Sequence, residues 1–107
     1  MKVVWAKQAS ESLQLIASYI CDNFGFGAKQ KFLSEITDML SSLEFNPYIG
    51  KIDPYMEGFP IEYRCVYIHR LSKAVYYVEN DNIVIVALTD ARRDPEEFAN
   101  SIRKDNA

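Results

Sequence analysis

The feature that most restricts this chain is the stretch Asn82 to Pro95, NIVIVALTDARRDP. Ile83 to Leu88 is an unbroken run of apolar, mostly branched residues, long enough for one strand. It shows no polar alternation, so it reads as a strand covered on both faces. Directly after it come Asp90, Arg92, Arg93 and Asp94. Asp94-Pro95-Glu96-Glu97 then has the form of a helix start, with Asp at the N-cap, Pro at the first helical position and acids in the first turn. A buried strand, an arginine pair and a capped helix in so few residues place charge at the end of a sheet. The remainder of the chain must cover that strand.

Covering it takes apolar surface, and the 107 residues supply enough for one domain, with 49% hydrophobic and 13% aromatic residues. Lys2 to Ala6 is a short strand candidate anchored by Trp5, and it needs a later partner. Lys7 to Asn23 reads as a helix, with Ala9, Leu13, Ile16, Ala17, Ile20 and Phe24 on one face and Gln8, Glu11, Ser18 and Asp22 elsewhere. Gly25 and Gly27 bracket Phe26 and are expected to break it. A second helix is expected over 28–43, with the stripe Ala28, Phe32, Ile36, Met39, Leu40 and Leu43. So short a connection makes the two helices an antiparallel hairpin.

Glu44 to Pro60 holds three of the four prolines and reads as loop. Its aromatics, Phe45, Tyr48, Tyr55 and Phe59, are expected to pin it to the core. Three strands follow. Ile61 to Ile68 alternates, with Tyr63, Cys65 and Tyr67 on one face and Arg64, Val66 and Ile68 on the other. Lys73 to Val78 is the second, reached through a turn at Arg70 to Ser72. Glu79 to Asn82 is a tight hairpin turn, because Asn and Asp tolerate positive φ. Phe98, Ala99 and Ile102 give a last helix its apolar side, and residues 103–107 should fray. The fold class is therefore α+β: an N-terminal strand, a helical hairpin, a three-strand antiparallel meander and a short C-terminal helix. The first strand is placed beside the last, which makes the last strand central.

Several functions are disfavoured by composition. The net charge of -3 does not suit direct nucleic-acid binding, which needs a positive field. No apolar run approaches the roughly 20 residues of a membrane span. The N-terminus lacks the apolar core of a signal peptide, so a cytoplasmic protein with two reduced thiols, Cys21 and Cys65, is expected. One histidine and two distant cysteines give no metal site, and no cofactor is expected. His69 is a general base only if a partner orients it; otherwise it is a solvated turn residue. Arg64 is a candidate contact to phosphate or target, or pairs with Glu62, Glu79 or an aspartate. Arg92 and Arg93 are candidate contacts too, unless one pairs with Asp90 or Asp94. Cys65 lies on the face opposite Arg64 and reads as core. Tyr76 and Tyr77 put one ring on each face, one for the core and the other, Tyr77, open to a partner.

Trp5-Ala6 with Ala9, the segment Leu43 to Gly50 (LEFNPYIG), Tyr63 to Tyr67 (YRCVY) and Ala91 to Pro95 (ARRDP) carry a resemblance. In that order and spacing they resemble the RelE/ParE superfamily of type II toxins over nearly the whole chain. The resemblance implies a single toxin domain over 1–107, neutralised by a cognate antitoxin that wraps its sheet and helices. RelE-like members cut mRNA on the ribosome with lysines, arginines and a tyrosine around the scissile phosphate. Arg64 and Arg92 match the two arginines. The lysine-bearing stretch here reads Glu57-Gly58-Phe59-Pro60-Ile61-Glu62, and the tyrosine position holds Phe98. ParE-like members lack that set and poison DNA gyrase by binding it. The resemblance therefore implies a ParE-like gyrase inhibitor. A ribosome-dependent endonuclease using Arg64 and Arg92 is the alternative, and a non-toxic antitoxin-binding module is a third.

Overall fold

A computed structural model describes residues 1–68 and 72–90. In chain order the elements are β1 (Lys2–Trp5), α1 (Lys7–Phe24), α2 (Phe26–Phe45), β2 (Lys51–Ile52), a 3-10 turn (Pro54–Met56), β3 (Arg64–Ile68), β4 (Ser72–Glu79) and β5 (Asn82–Asp90). The strands form one sheet in the order β1-β5-β4-β3-β2. β1 runs parallel to β5, with Lys2 opposite Asn82 and Trp5 opposite Ile85. The other neighbours are antiparallel. The meander and the placement of the first strand beside the last are as expected. The C-terminal helix expected from Pro95 lies outside the described residues, as do His69, Arg70, Arg92, Arg93 and Phe98.

The two helices cover one face of the sheet. Ala9, Ile16 and Ala17 of α1 and Phe32, Ile36, Met39 and Leu43 of α2 pack on Ile68, Ala74, Tyr76, Ile83, Ile85 and Leu88. Each large side chain taken out of water here contributes roughly 1.5–3 kcal/mol. The opposite face carries a smaller cluster of Met56, Tyr63, Cys65, Val75, Val86 and Ala87, with Phe59, Tyr77 and Val84 packed against it. β5 is thus buried on both sides, which is why its sequence shows no polar alternation.

Its alternation is nevertheless broken. Tyr76 pairs with Ile85 and Val75 with Ala87, so Val86 is an extra residue, a β-bulge. Val86 and Ala87 both join the smaller cluster, while Ile85 and Leu88 both join the larger one. The Val86 carbonyl is taken up by α1: Gln8 Nε2 donates to it at 2.9 Å.

The helical hairpin turns on a single residue. Gly25 has φ 95°, a conformation that penalises any Cβ, and both caps α1 and precedes α2. The expectation that Gly27 also breaks the helix is corrected, since α2 begins at Phe26. In the first turn a residue's N–H has no intrahelical partner, so a glycine there leaves the helix intact once Gly25 has turned the chain. At the β4–β5 turn Asn80 takes φ 54°, the positive value anticipated for Asn.

The segment 44–60 is more ordered than a loop. It contains β2, which pairs with β3 through Lys51–Cys65 and Ile52–Arg64. It also contains the 3-10 turn, capped by Asp53, whose Oδ1 accepts the Tyr55 N–H at 2.9 Å. β3 correspondingly starts at Arg64, three residues later than expected. No helix among the described residues is long and apolar enough to cross a membrane.

Candidate functional site

The segment Asn46 to Gly50 is held from beneath by two side chains of the sheet. Tyr76, fully buried, reaches past the helix face so that its hydroxyl donates to the Pro47 carbonyl at 2.8 Å. The same hydroxyl accepts the Gly50 N–H at 3.0 Å. Arg64, directly opposite Tyr76 on β3, donates from Nη1 to the Gly50 carbonyl at 2.8 Å and from Nη2 to Glu62 Oε1 at 2.9 Å. Its guanidinium also lies 5.3 Å from the centre of the Tyr48 ring. Asn46 completes the turn by accepting the Tyr48 N–H on Oδ1 and the Ile49 N–H on its carbonyl. Gly50 has no room for a side chain: a Cβ there would stand 2.7 Å from both the Cys65 carbonyl and the Tyr76 hydroxyl.

Burial pushes the Tyr76 phenol above its ordinary pKa, and the Gly50 N–H and the Arg64 charge only partly oppose this. The phenol therefore keeps the proton it donates to Pro47. It serves here as a tether, not as an acid or base.

The turned-over loop presents apolar side chains outward. Phe45 is 93% exposed, Tyr48 57%, Ile49 55% and Ile52 49%. The expectation that the loop's aromatics pin it to the core holds for Phe59 and fails for Phe45 and Tyr48. The pinning is done by polar groups of the sheet instead, because the backbone of 47–50 offers them a donor and two acceptors.

The other face of the sheet has its own polar anchor. Lys73 Nζ is 3.1 Å from Asp53 Oδ2, and both side chains are buried. The ammonium also sits 5.2 Å from the Tyr55 ring centre. This pair ties the 3-10 turn to β4 over the smaller cluster. Sequence reasoning missed it, reading Asp53 as part of a loop and Lys73 as the start of a strand. The available signal was a lysine opening an otherwise apolar strand, KAVYYV. Cys65 lies in the same cluster, and burial raises its thiol pKa, with the Asp53 charge adding to the rise and Lys73 and Lys51 opposing it.

Of the residues singled out from the sequence, Arg64 and Tyr77 fall on opposite faces. Arg64 shares a face with Tyr76, whereas Tyr77 packs edge-on against Tyr63, ring centres 5.8 Å apart, on the far side. The structure does not bring those two together. A third surface feature is a cleft of about 380 Å³ between α1 and α2, lined by Leu13, Ala17, Cys21, Lys29 and Leu33 among others.

A family model described as the ParE toxin of type II toxin-antitoxin systems, parDE, matches residues 3–95. No curated protein matches at a significant level. Among solved structures, the chain is similar to one in the chromosomal ParDE TA system of P. aeruginosa, with a TM-score of 0.70 and 19% identity over 86% of this chain and 97% of that one. It is similar to the YoeB/ParE toxin of Agrobacterium tumefaciens, at TM-score 0.60 and 17% identity over 84% and 98%. It is also similar to a chain of the heterotetrameric YoeB-YefM toxin-antitoxin complex of Staphylococcus aureus, at TM-score 0.55 and 20% identity over 83% and 94%. At these identities the likeness to solved structures is one of fold.

Proposed function

The chain belongs to the ParE toxin family of type II toxin-antitoxin systems, and we propose that it acts by binding a protein target, DNA gyrase, and not by cutting RNA. The observation that carries this reading is the engagement of Arg64. An arginine that stabilises a phosphate transition state must aim its N–H groups at the developing charge. Arg64 directs one N–H from each end of its fork to Gly50 and Glu62, and its guanidinium stands over the Tyr48 ring. The sequence adds Phe98, which cannot move a proton, and a Glu57–Glu62 stretch without lysine. A cognate antitoxin partner is supported by the toxin-antitoxin complexes to which the fold is similar. Its site of action is then the cytoplasm, and 1–107 works as a single domain.

Purified toxin, freed of antitoxin, is expected to inhibit supercoiling by gyrase at micromolar concentration, and induced cells to filament while still synthesising protein. Supercoiling left untouched, with toeprints showing cuts on translating ribosomes that vanish in Arg92→Ala, would instead establish the endonuclease reading.

A further inference from the structure

We infer that the loop from Asp53 to Tyr63 is a flap that opens as a unit from the sheet face opposite the helices while the rest of the fold stays intact. The loop is closed at its own neck. Ile52 pairs with Arg64 at the end of the β2–β3 ladder, and the Asp53 N–H then donates to the Tyr63 carbonyl at 3.0 Å. Its ends therefore stay together whether or not its body lies on the sheet, the form of an Ω-loop. Between the two neck residues only Met56 is buried and Phe59 half-buried, and every other residue is exposed. Gly58 bends the loop with φ 88°, and a Cβ there would meet no atom within 4 Å, so nothing packs around that bend.

What the flap covers is separate from the main core. Every described member of the smaller cluster that is not on β3, β4 or β5 comes from this loop: Met56, Phe59 and Tyr63. No residue of the loop belongs to the larger cluster beneath the helices. Lifting the flap therefore uncovers Cys65 and its neighbours Val75, Val86 and Ala87, and leaves the helix-side packing and the strand ladders as they were. A segment with few buried apolar contacts and a self-closed backbone is the kind that opens at a lower free energy than global unfolding. The buried pair of Asp53 and Lys73 lowers the cost of opening further. Closing takes both charges out of water and opening returns water to them, so the pair fixes where the flap sits more than how tightly it is held.

Cys65, only 2% exposed, reports the opening, because a thiol reagent reaches it when the flap lifts. The test uses the full chain carrying Cys21→Ser, so that Cys65 is the single thiol. Its labelling by an aromatic disulfide is followed in urea below the unfolding transition. The rate should vary little with urea, since opening exposes little surface, whereas global unfolding gives a steep rise. Phe59→Ala should speed labelling about tenfold by removing the flap's packing. Gly58→Ala should speed it about fivefold through backbone strain alone, with no hole made for the reagent. Leu43→Ala, in the core on the other side of the sheet, should lower the urea midpoint and leave the labelling rate as it was. If that variant does not fold, Ile36→Val makes the same comparison. Labelling with the full urea slope of global unfolding overturns the flap. So does a rate that Leu43→Ala raises in step with its loss of stability, or one that the two loop variants leave unchanged.

Discussion

Gly50 and Tyr76 show how much of this surface depends on single atoms. Adding one methyl at Gly50 drives it into the Cys65 carbonyl and the Tyr76 ring, neither of which can retreat from a packed sheet. Gly50→Ala should cost about 1–3 kcal/mol, measurable by urea denaturation, and should loosen the loop with its side chains unchanged. At the other face, Lys73→Met leaves the Asp53 carboxylate buried without its cation. That should cost about 3–5 kcal/mol, a loss large enough to show as a lowered yield of folded protein. Alkali tests both faces together. The pKa of Cys65 is raised in the fold from 9.0 and that of Tyr76 from 10.0, so the unfolded chain releases these protons first. Stability is therefore whole below about pH 9 and falls as pH climbs through the raised values. Cys65→Ala should move the start of that fall upward in a pH series of melts. Arg64 was visible in the sequence as a residue of consequence. Its role was not, because a guanidinium beside a glutamate serves a carbonyl clamp and a phosphate site equally well.

Among the elements, those with a long periodic pattern were legible and those without were not. α1 and α2 announce themselves through apolar stripes, and β5 through its branched run. β2 has two residues, too few for any period, and exists because Gly50 lets the chain approach β3. The bulge at Val86 is invisible for a different reason: every residue near it is apolar, so a change of face alters nothing in the pattern. Its carbonyl depends on Gln8, a residue that looks like mere helix surface. Gln8→Ala should lower stability by about 1 kcal/mol. Gln8→Glu, an acceptor facing an acceptor, should lower it further, and thermal melts would rank the three proteins.

For the molecule as a whole, the two faces of the sheet have separate tasks. The helical hairpin closes one face with a large apolar core, and the segment from Asp53 to Tyr63 closes the other with a smaller one. β2 forms one edge of the sheet and β1 the opposite edge. Removing residues 1–5 would strip β5 of its parallel neighbour and leave a long apolar strand at an open edge. The truncated chain should aggregate on refolding, seen as light scattering where the full chain gives none. The family and the order of elements were legible from the whole sequence. The exposure of Phe45 and Tyr48 was not, because exposure is a property of the folded molecule and both residues are of the kind that fills a core.

The pairing of Lys2 with Asn82 also has a meaning in time. The first strand to leave the ribosome must wait for nearly the last described one before it has a neighbour. At about 5–20 residues per second that wait is roughly 4–16 seconds. During it the hairpin's apolar stripe has no sheet to lie on, and Arg64 and Tyr76 have not yet met the loop they hold. The sheet is therefore completed only when β5 emerges, so the two ends of the described chain are coupled in folding although β1 is made first.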